Sequence, residues 1–298
     1  MRGVITMSER ITGHTELIGL MAYPIRHSSS PAMQNEAFAK LGYDYAYLAF
    51  EVGADEIEDA VNAIRTLKMR GSNVSMPNKT LVGQYLDELS PAAEMCGAVN
   101  TIVNDHGHLT GHITDGIGFM AALKDNNIDA IGKKMTIVGA GGAATAIEIQ
   151  AALDGVGEIV IFNRKDEFWG RAVSTVEKIN TRTSSHAVLY DLADLDQLKK
   201  EMADSYIFVN ATGVGMKPLE DQSVVPDKSY FRPELIVVDV PYSPLETAMR
   251  SMAKEVGCKT MNGLGMMLFQ GSAAFELWTG EPMPIEHMKE ILNIRYDD

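Results

Sequence analysis

Short apolar runs alternate with amphipathic stretches in the first part of the chain, from residue 16 to about 112. Apolar side chains at three- and four-residue steps, such as Ile57, Val61 and Ile64, give a helix one buried face. Short runs rich in β-branched and aromatic residues, bounded by turn residues, indicate strands. On these criteria, helices are predicted at 31–41 and 54–68, and strands at 16–22, 45–52, 72–75, 98–104 and 108–113.

The middle of the chain has solidly apolar strands, rich in Val and Ile, that alternate with helices. It opens with a helix predicted at 114–124, for which Thr114 or Asp115 is a suitable N-cap. Strands that are apolar on both faces indicate a parallel sheet covered by helices, so the fold class is α/β. The predicted strands are 134–140, 158–163, 186–191, 206–212 and 235–240, with helices from about 142 and near 167–180.

The C-terminal part reads as two helices, 263–280 and 284–295. Met267, Phe269 and Leu277 supply an apolar face to the first of these helices. Gly280 is placed to end it, because glycine adopts the left-handed conformation that closes many helices.

Composition narrows the class of protein. The chain has 298 residues, 46% of them apolar and 22% charged, which suits a globular protein of two domains. Its 26 Lys+Arg against 40 Asp+Glu give a net charge of −14, which argues against a nucleic-acid partner. We expect no membrane span and no secretory signal, since no long apolar run occurs.

The numbers and spacing of cysteines and histidines argue against disulfide bonds and against a bound metal. Cys96 and Cys258 are too few for a disulfide framework and are expected to be buried thiols of a cytoplasmic protein. The seven histidines show no metal-ligand spacing, so no metal is expected.

A glycine-rich turn follows the strand that ends at Val138. In the sequence GAGGAAT, Gly139 and Gly141 occupy the first two glycine positions of G-x-G-x-x-G/A, and Ala144 the third. Such a turn lets a pyrophosphate approach the backbone at a helix N-terminus, where N–H groups and the helix dipole favour an anion. A purely structural turn is the alternative. The position between a strand and a helix favours dinucleotide binding.

The next predicted strand ends at FNRKDEF, which offers both charges to the adenosine end of a dinucleotide. A carboxylate here would bind the ribose hydroxyls, whereas cations would bind a 2′-phosphate. Arg164 suits the second role and Asp166 the first. The alternative for Asp166 is an ordinary helix N-cap.

Polar residues of the first region form a second set of candidates. Three serines, 28–30, precede a predicted helix, Lys79 follows a strand, Asn100 lies in an apolar run, and Asp115 stands at the joint between regions. Each has an ordinary structural alternative: a serine N-cap, a solvated lysine, a turn asparagine and a helix-capping aspartate. Together they could line one polar site.

Nine motifs, in order from Tyr23 to Gly280, resemble the shikimate dehydrogenase family and are most similar to its quinate/shikimate branch. They are YPIRHSSSP, NVSMPNK, GAVNT, TDGIG, GAGGAATA, FNR, NATGVGM, VPYSP and GLGMMLFQGSAAFELWTG.

The resemblance implies a substrate domain of residues 1–113 and 259–298, a Rossmann-type doubly wound cofactor domain of 114–258, and a cleft between them. It implies that Lys79 and Asp115 form the catalytic pair. The implied substrate-binding residues are Ser28, Ser30, Ser75, Asn100, Tyr242 and Gln270. The implied cofactor-binding residues are Gly139, Ala140, Gly141, Gly142, Ala143, Asn163, Arg164, Asp166, Thr212, Gly263 and Met267.

Some positions depart from the family pattern. Ile113 replaces an asparagine, which removes a polar group beside Asp115, and Val240-Pro241 replaces a more usual pair before Tyr242. Lys165 and Phe168 stand where NADP-preferring members carry Thr and Arg. With Asp166 present, these changes favour NAD, with use of NADP possible.

The expected function is the reversible NAD(P)-dependent oxidation of the C3 hydroxyl of shikimate, and of quinate as well. Lys79 would exchange a proton with the C3 oxygen and stabilise its negative charge, while Asp115 would orient the substrate hydroxyl and Lys79. The alternatives are a dehydrogenase for an amino-shikimate or related polyol, and a non-catalytic dinucleotide-binding homologue. The expected partners are small-molecule substrates, and the expected assembly is a monomer or a homodimer.

Overall fold

The computed structural model describes residues 11–294, which form two compact units. The first unit contains the described residues up to Ser90, together with Gly97–His112 and Ala274–Leu292. The second contains Pro91–Cys96, Ile113–Ala273 and the last two described residues, Asn293 and Ile294. Residues 259–273 therefore belong to the second unit, and the assignment of domains to ligands stays a prediction.

The first unit is built on a mixed six-stranded sheet. Its strands are β1 (Glu16–Ala22), β2 (Tyr45–Glu51), β3 (Gly71–Val74), β4 (Glu88–Leu89), β5 (Thr101–Asp105) and β6 (His108–His112), in the order β2-β1-β3-β5-β6-β4. β1 runs parallel to β2 and β3, whereas β5 is antiparallel to β3 and β6. Its helices are α1 (Ser30–Leu41) and α2 (Ile57–Thr66), and α10 (Ile285–Leu292) near the C-terminus.

Trp278 completes the core of the first unit. Its side chain is fully buried, and its indole N–H donates to the Ile102 carbonyl at 3.0 Å. A Cβ on Gly71 would stand 2.5 Å from the indole nitrogen, so only glycine fits there. The guanidinium of Arg70 donates to the Trp278 carbonyl at 2.7 Å. The C-terminal segment is thereby fixed to β3 and β5.

The second unit has a six-stranded sheet in which all pairings are parallel, as predicted from its apolar strands. The strand order is β12-β11-β10-β7-β8-β9, a Rossmann-like arrangement. The strands are β7 (Lys134–Val138), β8 (Glu158–Asn163), β9 (His186–Asp191), β10 (Ile207–Asn210), β11 (Ile236–Asp239) and β12 (Lys259–Met261). The helices are α3 (Pro91–Cys96), α4 (Asp115–Asp125), α5 (Gly142–Asp154), α6 (Trp169–Arg182), α7 (Leu195–Asp204) and α8 (Ala248–Val256). Helix α9 (Leu264–Thr279) begins in this unit and ends in the first.

Several predicted boundaries were wrong for local reasons. Helix α2 begins at Ile57 rather than residue 54, because Gly53 N–H donates to the Glu56 carboxylate at 2.9 Å and holds a turn there. Asn100 lies just before β5 and not inside a strand. Thr114 precedes α4 at the N-cap position, but its side chain makes no capping hydrogen bond. The predicted elements do not include α3, α7, α8, β4 or β12.

Two features are absent from residues 11–294. None of their helices is both long and apolar enough to cross a membrane. Nor do three His, Cys, Asp or Glu side chains in this range gather in a way that could hold a metal ion.

Candidate active site

In the first unit, the predicted substrate residues follow the carboxyl ends of β1 and β3. These strands are parallel neighbours, so the segments that leave them emerge at one edge of the sheet. Ser75 N–H donates to the Met21 carbonyl at 3.0 Å, and Tyr23 N–H donates to the Met76 carbonyl at 3.2 Å. These two hydrogen bonds tie the segment after β3 to the segment after β1.

Lys79 and Asn100 are joined to this edge by backbone hydrogen bonds. The Lys79 carbonyl accepts from Val99 N–H at 2.8 Å, and the Asn100 carbonyl accepts from Val74 N–H at 2.8 Å. Both Ser75 and Lys79 are half-buried, and Asn100 is buried. The structure therefore brings Ser75, Lys79 and Asn100 together, although they are spread over 25 positions of the sequence.

A buried hydrogen-bond chain orients Asn100. Thr101 donates its hydroxyl to the Asn100 side-chain carbonyl at 3.0 Å, and Asn73 donates to Thr101 at 2.9 Å. The Tyr47 hydroxyl donates to Asn73 at 2.7 Å, and burial raises the pKa of Tyr47 so that it stays a donor. The buried Asn100 side chain thus has a hydrogen-bond partner. Asn73 and Tyr47 were not predicted, although Asn73 is the first residue of the motif NVSMPNK.

Ser28 and Ser30 stand at the entry to α1. Ser28 Oγ accepts from Ser30 N–H at 3.2 Å, and both residues are half-buried. The helix begins at Ser30, and Ser29 occupies the N-cap position without a side-chain capping bond. One of the three serines therefore takes the N-cap position, as the ordinary alternative has it, but its hydroxyl does not form the capping hydrogen bond.

In the second unit, two helical glycines pack the first turn of α4, which begins at Asp115, closely against α5 and α9. Asp115 is the first residue of α4. A Cβ on Gly116 would stand 2.2 Å from the Ala146 carbonyl of α5, and a Cβ on Gly118 would stand 2.4 Å from the Gln270 nitrogen of α9. The helices can approach this closely only because both residues lack a side chain. Gln270 itself donates to the Met267 carbonyl at 3.1 Å.

Gly263 sets the start of α9 against the segment that carries Tyr242. A Cβ on Gly263 would meet the Val240 carbonyl at 1.8 Å, so the two backbones are in direct contact. Met267 N–H donates to the Gly263 carbonyl at 3.0 Å, and Met267 is half-buried. Tyr242 is exposed. Gly263, Met267 and Tyr242 are thus brought into one neighbourhood.

The glycine-rich turn has the form that the sequence predicts. Gly139 adopts φ +126°, a conformation that favours glycine, and its N–H donates to the Phe162 carbonyl at 2.8 Å. Gly141 occupies the N-cap of α5, and a Cβ on Gly141 or Gly142 would meet no atom within 4 Å. Ala144 is fully buried in the core. The open backbone at a helix N-terminus fits a pyrophosphate.

A cavity of about 250 Å³ lies over this turn, at the carboxyl edge of the parallel sheet. It is lined by the predicted residues Gly139, Ala140, Gly141, Asn163, Arg164, Asp166 and Thr212. Leu192, Val214 and Val224 also line it and were not predicted. Leu192 follows a predicted strand and Val214 lies in the motif NATGVGM, so the sequence offered grounds to predict both as cavity residues. Dinucleotides bind at this edge of parallel sheets.

Asp166 shapes the loop at the adenosine end. Its carboxylate accepts from Asn163 Nδ2 at 3.0 Å and from Phe168 N–H at 2.9 Å. The N-cap position of α6 belongs to Phe168, so the N-cap alternative for Asp166 is wrong by two residues. A second cavity of about 510 Å³ continues from the first, and Arg164 and Lys165 line it. Lys165 forms an ion pair with Asp191 at 3.3 Å.

Comparison with known families identifies matches at both ends of the chain. The family model "Shikimate dehydrogenase substrate binding domain" matches residues 20–102, and the model "Shikimate 5'-dehydrogenase C-terminal domain" matches residues 263–292. A shikimate dehydrogenase (NADP(+)) of Listeria innocua is 65% identical over 286 residues, which cover 96% of this chain and 98% of the relative.

Solved structures with the same fold bind related ligands. A shikimate 5-dehydrogenase from Listeria monocytogenes, in complex with shikimate and NAD, is 64% identical with a TM-score of 0.94, and the match covers 96% of this chain and 99% of that one. A quinate dehydrogenase from Corynebacterium glutamicum, in complex with NAD, is 29% identical with a TM-score of 0.83, and the match covers 94% and 99%.

Proposed function

Since the chain belongs to the shikimate dehydrogenase family, a family of oxidoreductases, we propose that it reversibly oxidises the C3 hydroxyl of shikimate and also accepts quinate. A nicotinamide cofactor, which the turn at Gly139 and Gly141 would hold, would supply the hydride acceptor. The protein must then remove the hydroxyl proton and stabilise the negative charge that develops on the C3 oxygen.

Lys79 carries the proton in this proposal. The supporting observation is its place in the structure: it is half-buried, it directly follows the β3 edge, and its backbone is fixed to Val99 beside Asn100. Because its backbone is already fixed in place, Lys79 needs little rearrangement to reach the reacting hydroxyl. Asp115 is proposed to orient the substrate hydroxyl and the Lys79 amine, and both residues act on one substrate molecule.

The remaining polar groups are proposed to bind the substrate. Ser28, Ser30 and Tyr242 would bind the carboxylate, and Ser75, Asn100 and Gln270 the ring hydroxyls. Asn100 is suited to this role because the chain through Thr101, Asn73 and Tyr47 fixes its amide.

Lys79→Ala tests the proposed chemistry. We expect kcat for shikimate oxidation to fall about 10²-fold or more, the scale of a positioned acid–base group, with a small change in KM. Lys40→Ala is the matched control, because Lys40 is an exposed lysine near the end of α1 and should leave the kinetics unchanged. Near-wild-type turnover of the Lys79 variant would exclude it as the proton carrier. Assays with shikimate, quinate and an amino-shikimate separate the substrate alternatives, and absence of any absorbance change at 340 nm would indicate a non-catalytic homologue.

We also propose that NAD is preferred over NADP. The 2′ position of the cofactor would face two cations, Arg164 and Lys165, and two carboxylates, Asp166 and Asp191. The ion pair with Asp191 already balances the Lys165 charge, and a 2′-phosphate needs an excess of positive charge. The NADP(+) named for the Listeria innocua relative makes some use of NADP expected here as well.

Asp191→Asn tests this preference. The amide retains the acceptor for Ala193 N–H, at 3.0 Å in the wild type, but it no longer neutralises Lys165. We expect kcat/KM for NADP to rise about fivefold, the scale of an exposed ion pair, with kcat/KM for NAD nearly unchanged. Equal changes for the two cofactors would contradict the proposed role of the pair.

A further inference from the structure

Asp239 is a buried carboxylate at the carboxyl end of β11, and it binds two donors from different segments. It is fully buried. Asn210, its register partner at the end of β10, donates its amide N–H to Asp239 Oδ1 at 2.8 Å. Thr247 donates its hydroxyl to Asp239 Oδ2. The two segments that meet at this carboxylate both lead to predicted site residues.

Asn210 shapes the cofactor-side loop 211–214. Its Oδ1 accepts from Thr212 N–H at 3.1 Å and from the Thr212 hydroxyl at 2.7 Å, and its Nδ2 also donates to the Val214 carbonyl at 3.0 Å. Every residue of this loop lines the 250 Å³ cavity. Because the Asn210 oxygen is occupied by Thr212, its amide must present N–H groups to Asp239.

Thr247 closes the segment 240–246, which carries Tyr242. It is the N-cap of α8, where its hydroxyl oxygen accepts from Arg250 N–H at 3.3 Å. That hydroxyl can therefore direct its single hydrogen to Asp239. Gly215 passes closely over Thr247 with φ +96°, and a Cβ there would be 3.1 Å from Thr247 Cγ2. The two loops therefore meet at Thr247 as well.

The two donors require a group with two acceptors. A carboxylate offers them, whereas an isosteric amide offers one acceptor and one donor. Two charged groups act on Asp239: Arg250, which is buried, and Glu246, which forms an ion pair with Arg250 at 3.4 Å. Burial raises the pKa of Asp239 to about 6, while Thr247, Asn210 and Arg250 oppose the rise, so the ionised form prevails at neutral pH.

We propose that Asp239 is a positioning residue that fixes the cofactor loop 211–214 through Asn210 and the Tyr242 segment through Thr247 in one arrangement. It touches neither substrate nor cofactor in this role. The proposal rests on the proposed function only in so far as both segments serve the same reaction. The Asp239→Asn amide must turn an N–H toward one donor, and because both segments bind this one group, we expect both the Thr212 hydrogen bonds and the cap of α8 to be rearranged.

The test is Asp239→Asn in the full-length chain, with Thr247→Val and Thr247→Ser as a second pair. We expect the Kd for NADH, measured by fluorescence titration without substrate, and the KM for shikimate each to rise about tenfold for Asp239→Asn, which corresponds to one well-formed hydrogen bond. Thr247→Val should shift both in the same direction, and Thr247→Ser, which keeps the hydroxyl, should restore both.

The decrease of activity at acidic pH gives a further test of the role of Asp239. Protonation of the wild-type carboxylate should reproduce the defect below about pH 6, and the Asp239→Asn variant should lack that decrease. If Asp239→Asn lowers only the free energy of unfolding, with wild-type Kd, KM and pH profile, the residue is structural and the proposal is overturned. If Asp239→Asn does not fold, Thr247→Val and Thr247→Ser provide the test: wild-type Kd and KM in Thr247→Val would overturn the proposal. NADH binding by the wild type without shikimate oxidation would refute the proposed function instead.

Discussion

Glu148 is expected to make the stability of the protein depend strongly on pH. It lies on α5 and is fully buried, and neither carboxylate oxygen has a hydrogen-bond partner among the described residues. Burial raises the pKa of Glu148 from its ordinary 4.5 to about 8. At neutral pH the folded protein therefore holds a proton there that the unfolded chain releases.

The sign and size of the effect follow from this difference in proton binding. The favourable contribution of protonated Glu148 is complete below pH 4.5 and is lost as pH rises toward 8. Each pH unit changes the free energy of unfolding by about 1.36 kcal/mol, so the loss between pH 5 and pH 8 is about 4 kcal/mol. Glu148→Gln, which cannot ionise, should lack this loss.

The assay is urea unfolding followed by circular dichroism from pH 5 to pH 8. We expect the stability of Glu148→Gln relative to wild type to increase by about 4 kcal/mol across this range. In the difference between the variant and wild-type free energies of unfolding, the contributions of all other titrating groups cancel. Glu177→Gln is the control, because Glu177 is exposed on α6 and should give a difference that does not vary with pH. A constant difference for the Glu148 variant as well would refute the reasoning and indicate that the buried carboxylate is ionised and compensated.

Two further predictions concern glycines. Gly118→Ala places a Cβ 2.4 Å from the Gln270 nitrogen, so we expect the free energy of unfolding, measured in urea, to fall by about 1–3 kcal/mol. Gly170→Ala, in the open first turn of α6, is the control and should raise the free energy of unfolding by about 0.5 kcal/mol. A more stable Gly118→Ala variant would contradict the close packing of α4 and α9. Gly139→Ala combines φ +126° with a Cβ 2.9 Å from the Ala211 carbonyl, so we expect a higher Kd for NADH in fluorescence titration than in Gly170→Ala, and an unchanged Kd would mean that the turn tolerates a side chain.

The sequence was most informative where a local pattern determines the structure. Runs such as EIVIFN are apolar at every position, which suits only a strand buried on both faces, and all five predicted strands of the second region are present in its parallel sheet. The glycine turn was predictable because strand, turn and helix are adjacent in sequence. Short elements such as β4, with two residues, are too brief to show a period.

Contacts between distant segments could not be read from local patterns. Asn100 lies in an apolar run that resembles a strand, but its carbonyl binds Val74 N–H and the strand begins one residue later. Position 118 requires a glycine because the backbone of Gln270, 152 positions further along the chain, packs directly against it. Asp239 follows an apolar run like any strand-ending aspartate, and only folding reveals that Asn210 and Thr247 converge on it.

The place of Trp278 has a consequence for synthesis. Trp278, whose indole packs on Gly71 and donates to the Ile102 carbonyl, is translated after every strand of both sheets, so the core of the first unit receives this side chain late. The parallel sheet of the second unit, in contrast, is complete at Met261. The first unit, whose strands are translated first, therefore lacks one of its fully buried core side chains until the strands of the second unit have been made, and a chain that stops before Ala274 would lack the indole on Gly71.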